Sequence, residues 1–304
     1  MQIKTITNIT QCKKLWKEFS PKKNIWGLWD IVYSFYNRRI HKPLFLILED
    51  DKGKIEGLLP LWFDKEGGWY TLFGGSYPEN RRLWFDIKHF KLFLEKLPTP
   101  LVLYDINNKQ SEDIIKKYPE LEPMFTETDY RYFINLKEVD HSFEKYVSRF
   151  NKKHRKNLRN DLKKIEQTGY KIVWETTEHI KDMIRLNIER FGEESDFKDK
   201  TILKEMKNFI KILNKKKMLF TSTVIIDNKT ECVEIAAFYN KKYYVINGGY
   251  NKNIPNLGKL IVSEHIKKAI ELKADEIDFL IGDSGWKKLW KFDKEQCYTF
   301  EKEK

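Results

Sequence analysis

The sequence predicts an α/β (α+β) chain built from two copies of one unit, each a mixed, mostly antiparallel sheet flanked by helices. Apolar runs typical of strands occur in the same order in both halves of the chain. A glycine pair closes the third run of each half, at Gly74-Gly75 and Gly248-Gly249, and the next strand follows each pair after nearly the same interval. Such a repeat indicates an internal duplication.

The size of the chain agrees with two units. Its 304 residues suit two domains of roughly 150 residues each. Hydrophobic residues make up 41% of it, and the 34% of charged residues are spread along the chain, which argues against disorder. We expect an N-terminal unit over 1–140 and a C-terminal unit over 141–304, which a basic helix over 143–168 introduces.

The elements of the first unit can be assigned in order. Two short helical segments rich in aromatic residues come first, at 9–20 and 24–40. Strands separated by turns with Gly or Asp follow at 44–50, 55–63 and 69–75. A helix at 86–97 and a strand at 101–106 complete this unit.

The second unit repeats this order after its own helices. These helices are expected at 177–192 and 199–216. The strands are expected at 218–227, 232–239 and 243–250, followed by a helix at 257–273 and a strand at 276–283.

The helix predicted over 143–168 has one apolar face and is otherwise basic. As one continuous helix of about 24 residues it would be about 36 Å long. Eight Lys or Arg residues and a single acid, Asp161, lie between Arg149 and Lys164. This surface could be a solvated face, or it could bind phosphates of tRNA or of a membrane lipid. The candidate contacts are Lys152, Lys153, Arg155 and Lys156.

Charge and cysteine content limit the classes of partner and compartment. The net charge of +12 favours a polyanionic partner, although a lysine-rich composition alone could produce it. The three cysteines are far apart, so the sequence predicts no disulfide framework and no metal site. We expect a cytoplasmic protein without a leader peptide or transmembrane segment, with peripheral contact to an anionic membrane as an option.

The stretch YVINGGYNKNIPNLGKLIVSEH, residues 244–265, changes from strand to glycine-bearing loop to helix. A helix N-terminus carries unpaired N–H groups that can bind a pyrophosphate. The backbone of Leu257, Gly258, Lys259 and Leu260 is the candidate anion site, although such a loop is also common without a ligand. A glycine pair ending the strand could let it separate from its neighbour and open a slot.

Three stretches resemble the GNAT acyltransferase superfamily, in particular its duplicated CelD-like and FemABX-like members. They are RKNLRNDLKKIEQTGY (155–170), NKNIPNLGKLIVSEHIKKAIELK (251–273) and IDFLIGDSGWKKLW (277–290). The resemblance implies tandem GNAT-like units and an N-acyltransferase that transfers an acyl group from acetyl-CoA or another acyl-CoA to an amine. Amino sugars, amino acids and small metabolites are the acceptors it suggests. The loop has fewer glycines than the family pattern, and Trp286 replaces a frequent Tyr, which leaves the donor open.

The resemblance also implies roles for residues around that loop. It places the donor along Asn247, Gly248, Gly249 and Tyr250, where a backbone N–H would polarise the acyl carbonyl. A carboxylate would deprotonate the amine, with Glu234, Asp278 and Asp283 as candidates. Asp283 could instead cap a helix, and Glu234 could be an exposed edge residue. Trp286 and Lys287 would line the acceptor pocket, with Lys287 also a candidate catalytic residue, although Trp286 and Tyr250 also suit a core.

The remaining expectations concern the first unit and the rival functions. The loop SYPENRR has no phosphate-binding pattern, so we expect the first unit to lack a donor site. Its candidate acceptor contacts are Tyr77, Glu79, Asn80 and Arg81. His265 is expected on a helix surface. An aminoacyl-tRNA-dependent transferase acting on a peptide or cell-wall precursor is one alternative function, and a non-catalytic binding module is another.

Overall fold

The computed structural model describes residues 1–175, 177–283 and 285–303. Two compact units divide the chain: Met1–Arg131 with Glu295–Lys304, and Tyr132–Lys294. The division after residue 131 lies close to the expected one after 140. The segment Glu295–Lys304, which the sequence analysis placed in the C-terminal unit, instead packs with the first unit. Within the described ranges, every helix is too short or too polar to traverse a bilayer.

The first unit is a sheet with short helices around it. Its strands in chain order are β1 (Gln2–Ile6), β2 (His41–Glu49), β3 (Ile55–Asp64), β4 (Trp69–Leu72), β5 (Leu101–Asn107), β6 (Phe125–Glu127) and β14 (Cys297–Lys302). Its α-helices are α1 (Ile9–Phe19), α2 (Trp29–Val32), α3 (Phe90–Leu94) and α4 (Asn108–Lys117). Short 3₁₀ turns occur at Ile25–Gly27, Tyr33–Phe35, Ile87–His89 and Pro119–Met124.

The second unit has longer helices. Its strands are β7 (Arg131–Asn135), β8 (Lys171–Trp174), β9 (Leu219–Ile226), β10 (Lys229–Tyr239), β11 (Lys242–Tyr250), β12 (Glu276–Ile281) and β13 (Asp293–Glu295). Its α-helices are α5 (Phe143–Ser148), α6 (Lys152–Glu166), α7 (Ile180–Phe191), α8 (Lys200–Lys215) and α9 (Leu257–Glu271). The 3₁₀ turns are Gly192–Glu194, Asp196–Lys198 and Lys287–Trp290.

The two sheets have the same strand order, which confirms the predicted duplication. The first sheet runs β1-β2-β3-β4-β5-β14-β6, and the second runs β8-β9-β10-β11-β12-β7-β13. In both sheets the fourth and fifth strands pair in parallel, whereas the first four pair antiparallel. The strand at the sixth position of each sheet comes from a different part of the chain. This position is filled in the first sheet by β14, which follows the second unit in the chain, and in the second sheet by β7, which follows strands β1 to β6 of the first unit.

The predicted continuous basic helix is wrong, because the chain forms two helices there. Helix α5 ends at Ser148, and Asn151 begins α6 by accepting a hydrogen bond from the N–H of His154 at 2.8 Å. The Arg155 guanidinium donates to the carbonyl oxygens of Ser148, at 3.1 Å, and Phe150. These carbonyls at the end of α5 need donors, which Arg155 supplies across the break.

Apolar side chains of the sheets and helices form the cores. Leu61, Phe93, Leu103 and Phe300 are fully buried together in the first unit. In the second unit the apolar face predicted over 143–165 is confirmed in part, since Tyr146, Phe150 and Leu158 pack with Ile266 of α9. This packing holds α6 beside the start of α9 and so places both helices around the site described next.

Candidate active site

Strands β11 and β12 separate after three residue pairs. They pair in parallel from Lys242–Glu276 to Tyr244–Asp278, although both strands continue beyond these positions. The register between β10 and β11 passes from Ala236–Val245 to Ile235–Asn247, so Ile246 is an extra, bulged residue. The bulge lies where the strands part, so the predicted separation is present and has a local backbone cause.

The loop after β11 leads directly into the N-terminus of α9. Asn256 takes a left-handed conformation, with φ +66°, and no described side chain caps this helix. The side chains of Leu257 and Leu260 are buried in the core, whereas Gly258 is partly exposed. The N–H groups of Leu257, Lys259 and Leu260 already donate to the backbone carbonyls of Ile254 and Asn256. The start of α9 therefore offers the space beside the loop mainly the positive end of the helix dipole, beside Gly258.

A cavity of about 640 Å³ lies in this space, inside the second unit. It is lined by Phe150, His154, Asn157, Leu158, Asp161, Arg190, Glu234, Val245, Tyr250, Lys252, Ile254, Pro255, Asn256, Gly258, Lys259, Ile261, Val262, Trp286, Leu289 and Trp290. It therefore brings together the predicted anion loop, one predicted base, Glu234, and the predicted acceptor residue Trp286. Arg190, Lys252 and Asn256 were not predicted.

Three cations surround the loop side of the cavity. The Arg190 guanidinium lies 4.0 Å from the centre of the Tyr250 ring, a cation–π contact. Neither Arg190 nor Lys252 has a carboxylate partner among the described residues, whereas Lys259 pairs with Asp161 at 2.5 Å. Two cations without carboxylate partners beside an uncapped helix N-terminus favour an anionic ligand.

Glu234 is mostly buried and faces the cavity from β10. It lies opposite Gly248 in the register, and a Cβ at Gly248 would come within 2.3 Å of Glu234 Cγ. Glu234 Oε2 lies 3.1 Å from Nε2 of His265. Gly248 is thus required for the position of this carboxylate.

The expected surface position of His265 is wrong. Its side chain is fully buried, because α9 lies against the sheet and is apolar on nearly every side. Its Nδ1 lies 2.9 Å from the Tyr243 hydroxyl and its Nε2 lies 3.1 Å from Ser222 Oγ. The ring is therefore held from both nitrogens.

Gly249 has a packing role. A Cβ there would lie 2.3 Å from the carbonyl oxygen of Met183 and 2.6 Å from the backbone nitrogen of Asn187, both on α7. The Asn187 side chain also donates to the Gly248 carbonyl oxygen at 2.8 Å. The glycine pair thus lets α7 approach β11 closely. The Gly248 N–H is engaged by Asn247 Oδ1 at 2.7 Å, so it is not free for an acyl carbonyl.

The other proposed acidic and basic groups are engaged elsewhere. Asp283 Oδ1 accepts from the backbone N–H groups of Gly285 and Lys287, each at 2.8 Å, which is a capping arrangement. Its neighbour Ser284 lies outside the described residues. The Lys287 ammonium is buried and donates to the carbonyl oxygens of Leu280 and Ile281, each at 3.1 Å. Asp278 is also buried, and its Oδ1 accepts from the N–H of Leu280 at 2.9 Å. None of Asp278, Asp283 and Lys287 lines the cavity.

Trp286 both lines the cavity and packs at the core edge. Its ring lies 6.0 Å from those of Phe279 and Phe292, nearly perpendicular to each. Its neighbour Trp290 is buried, and the Trp290 carbonyl accepts a hydrogen bond from the Tyr146 hydroxyl. Trp286 is therefore both a residue of the core edge and part of the cavity wall.

The four basic residues of α6 that were proposed to bind phosphates divide into two groups. Arg155 is engaged with carbonyls, whereas Lys152, Lys153 and Lys156 are exposed and have no partner among the described residues. None of the four lines the cavity, although His154 and Asp161 of the same helix do.

The first unit has no such gap, because the chain itself fills it. Strands β4 and β5 share a single pair, Tyr70–Leu101. Beyond it, Arg81 pairs with Ile106 of β5 and Trp84 pairs with Leu58 of β3. Residues 81–84 thus occupy the sheet position that β4 has left.

The acceptor residues proposed in the first unit belong to this closure. Arg81 donates to the carbonyl oxygens of Pro78, at 2.8 Å, and Gly75. Asn80 accepts from the Asn107 side chain at 2.7 Å. Tyr77 stacks on Phe35 with ring centres 4.2 Å apart. Glu79 has partners as well. Arg81, Asn80 and Tyr77 therefore hold the loop in place.

The cysteines have none of the features of activated nucleophiles. All three are buried. Burial raises the pKa of Cys12 and Cys297 to about 12 and that of Cys232 well above its ordinary value. A thiol of this kind stays protonated and unreactive near neutral pH.

Comparison with known proteins gives a family match for the region around this cavity. Residues 152–288 match the family model described as an acetyltransferase (GNAT) domain. This match confirms the predicted resemblance to the GNAT superfamily, and most of the residues that line the cavity lie within the matched range. A search of curated protein sequences found no match.

Solved structures extend the fold similarity to the whole chain. FemX is 12% identical, with 98% of this chain and 97% of FemX covered and a TM-score of 0.62. L-PGS from Bacillus licheniformis is 10% identical, with 97% and 92% covered and a TM-score of 0.58. A tandem GNAT protein from the clavulanic acid biosynthesis pathway is 8% identical, with 99% and 98% covered and a TM-score of 0.52. The tandem GNAT-like fold predicted from the sequence is thereby confirmed.

Proposed function

We propose that the chain is an N-acyltransferase that transfers an acyl group, in the first instance acetyl from acetyl-CoA, to an amine. The observation that carries this proposal is the cavity in the region that matches the GNAT family model, which joins the N-terminus of α9 to a mostly buried carboxylate, Glu234. An acyl thioester supplies the activated acyl group. The residues of the cavity bind it, orient it and take up a proton.

The loop end of the cavity suits the phosphates of a CoA donor. The start of α9 offers the positive end of its helix dipole beside Gly258, and Arg190 and Lys252 add positive charge without carboxylate partners among the described residues. Tyr250 and Pro255 provide apolar walls beside these charges. The proposed anchor therefore combines the helix dipole with the side-chain charges of Arg190 and Lys252.

The part of the cavity wall formed by Glu234 suits the amine. An incoming ammonium must lose a proton before its nitrogen lone pair can form the C–N bond. Glu234 is the cavity carboxylate without an ion-pair lysine among the described residues, whereas Asp161 pairs with Lys259. We therefore assign the role of base to Glu234 and leave Asp278, Asp283 and Lys287 out of this role.

Calorimetric titration with acetyl-CoA tests the donor site. Wild-type protein should bind with a Kd in the micromolar range, and Gly258→Trp should weaken binding at least about a hundredfold, because the indole would occupy the loop end of the cavity. The atoms nearest to a Cβ at residue 258 all belong to the Tyr250 side chain, the closest being its hydroxyl oxygen at 3.2 Å, so the variant should fold. Ser76→Trp, on the exposed loop of the first unit, is the control. Normal binding by Gly258→Trp would contradict the proposed site.

A second donor, aminoacyl-tRNA, is supported by the exposed lysines of α6. Lys152, Lys153 and Lys156 offer three charges without partners among the described residues, and the fold resembles that of FemX. Reversing all three to Glu should then weaken tRNA binding at least about tenfold and flatten its salt dependence. The matched control reverses the exposed Lys204, Lys207 and Lys211 of α8. Equal loss in both variants, or no tRNA binding by the wild type, would exclude this donor.

A further inference from the structure

Behind Glu234 lies a group of buried polar side chains that the proposed reaction has not yet used. His265 contacts Glu234 Oε2 and Ser222 Oγ through Nε2, each at 3.1 Å, and the Tyr243 hydroxyl through Nδ1 at 2.9 Å. The side chains of His265, Ser222 and Tyr243 are buried, and each comes from a different element. Burying several polar groups in one place is unfavourable unless they satisfy one another.

The contacts determine which ring nitrogen carries the proton. Burial raises the pKa of Tyr243 well above its ordinary value, so its hydroxyl keeps its hydrogen. The acceptor available to that hydrogen among the described residues is His265 Nδ1. A neutral imidazole that accepts at Nδ1 carries its own hydrogen on Nε2. The Nε2–H group therefore lies on the side of Glu234 and Ser222.

We propose that His265 is a positioning residue, which holds Glu234 through its Nε2–H group so that the second carboxylate oxygen, Oε1, takes the proton from the amine. This inference rests on the proposed function. Oε1 has no hydrogen-bond donor among the described residues, and Glu234 lines the cavity. In the reaction an N–H bond of the ammonium breaks, its hydrogen moves to Oε1, and the freed nitrogen electron pair forms the bond to the acyl carbon. The sulfur of the donor leaves with the electrons of the C–S bond and takes the second proton that the nitrogen loses on becoming an amide.

Two neighbours keep this arrangement in place. The edge of the Trp174 ring system packs against His265 nearly at right angles, with ring centres 5.5 Å apart, so the imidazole cannot easily rotate. Gly248 leaves the space that the Glu234 side chain occupies. The position of one carboxylate is thus determined from α9, from β8 and from β11, as a base that must meet its substrate within hydrogen-bond distance requires.

Steady-state kinetics with acetyl-CoA test this role, using the amine that gives the highest turnover among amino sugars, amino acids and polyamines. Glu234→Gln should lower kcat about a hundredfold or more. His265→Phe should lower kcat about tenfold to a hundredfold and leave the KM for acetyl-CoA within about twofold, because the carboxylate loses its orientation. His265→Gln, which keeps an N–H donor, should recover much of the loss. His179→Gln removes a histidine that contacts Asp182 and Thr230 outside the cavity, and it should leave both constants unchanged.

Nitrogen-15 NMR of histidine-labelled protein tests the contact without any turnover. The wild-type His265 signals should show a protonated Nε2 and an unprotonated Nδ1, and Glu234→Gln should shift the Nε2–H signal. Tyr243→Phe should allow the proton to populate both nitrogens. An unprotonated Nε2, or a signal that Glu234→Gln leaves in place, would overturn the proposal. Wild-type kcat in a folded His265→Phe variant would also overturn it. Absence of acetyl-CoA binding would instead refute the proposed function and leave the NMR result to judge the contact.

Discussion

The two units share one strand order but differ at the point where their parallel strands part. In the second unit β11 and β12 pair over three residues and then leave space for a cavity at the start of α9. In the first unit β4 and β5 share one pair, and residues 81–84 close the sheet beyond it. One fold thus supports either a ligand site or a closed sheet. The segment after the fourth strand decides which of the two forms.

The comparison explains why an arginine side chain has a structural role in the first unit and faces a cavity in the second. Arg81 lies inside the first unit and binds backbone carbonyls, whereas Arg190 faces the cavity on the ring of Tyr250. A guanidinium engaged by carbonyls stabilises the fold, and one without a carboxylate partner among the described residues is available to a ligand. The following four predictions separate these roles, in order of decreasing effect.

The largest effect is expected for Arg81→Met. The variant leaves the carbonyls of Gly75 and Pro78 without a donor and Asp105 without its neighbouring cation, which should lower the free energy of unfolding by about 3 kcal/mol. Chemical denaturation measures it. Acetyl-CoA binding should persist under native conditions, because the donor site is in the other unit. A variant as stable as the wild type would contradict the closure described for the first unit.

Substitutions at the two glycines of the second unit should affect different properties, one the stability of the fold and the other the activity. Gly249→Ala places a methyl group against the α7 backbone, which cannot move easily, and should cost about 2 kcal/mol. Gly248→Ala meets the flexible Glu234 side chain instead, so it should lower kcat more than stability. Thermal unfolding and kinetics on both variants check this. A larger loss of stability in Gly248→Ala than in Gly249→Ala would contradict the role assigned to Gly248.

Asp105 should give the first unit a pH dependence. Burial raises its pKa from 3.8 to about 6, although the charge of Arg81 opposes this. The folded state therefore binds the proton more tightly than the unfolded state, and stability falls as pH rises from about 4 to about 6. Relative to Asp105→Asn, the wild type should lose about 2 kcal/mol across that range. Denaturation at pH 4 and pH 7 measures the difference, and parallel curves for the two proteins would exclude it.

The smallest effect is expected for Arg190→Met. The introduced methionine side chain is long and apolar, so it keeps the contact with Tyr250 but carries no charge. The affinity for acetyl-CoA should therefore fall about tenfold, or about 1.4 kcal/mol. The loss should shrink at high salt, since it is electrostatic. Stability should change little. Lys204→Met on α8 is the matched control, and an equal effect there would show that the change is not local to the cavity.

Much of this could be predicted from the sequence, because the signals are local. The glycine pairs marked the repeat, and the loop at 251–258 marked the start of α9. Glu234 stood out as a carboxylate within an apolar strand. The β-bulge at Ile246 had no such signal, because it depends on the pairing of two strands. Arg190 approaches the loop only through tertiary packing.

Two errors have equally physical causes. The continuous basic helix was predicted from its apolar face, but the face continues across the break, and Asn151 was the missed start signal. His265 was assigned to a helix surface, although α9 is packed on most of its sides and the histidine is fully buried. Which strand fills the sixth position of each sheet could not be predicted either, because local patterns do not specify a distant partner.

That sixth strand has a consequence for synthesis of the chain. Strand β14 lies between β5 and β6, yet the ribosome makes it only after the whole second unit. Until then β5 has an unpaired edge, a hazard for aggregation in a nascent chain. The first unit therefore completes folding last, although it is made first. The pairing of β14 with β5 and β6 should be slow, because these strands are far apart in the sequence.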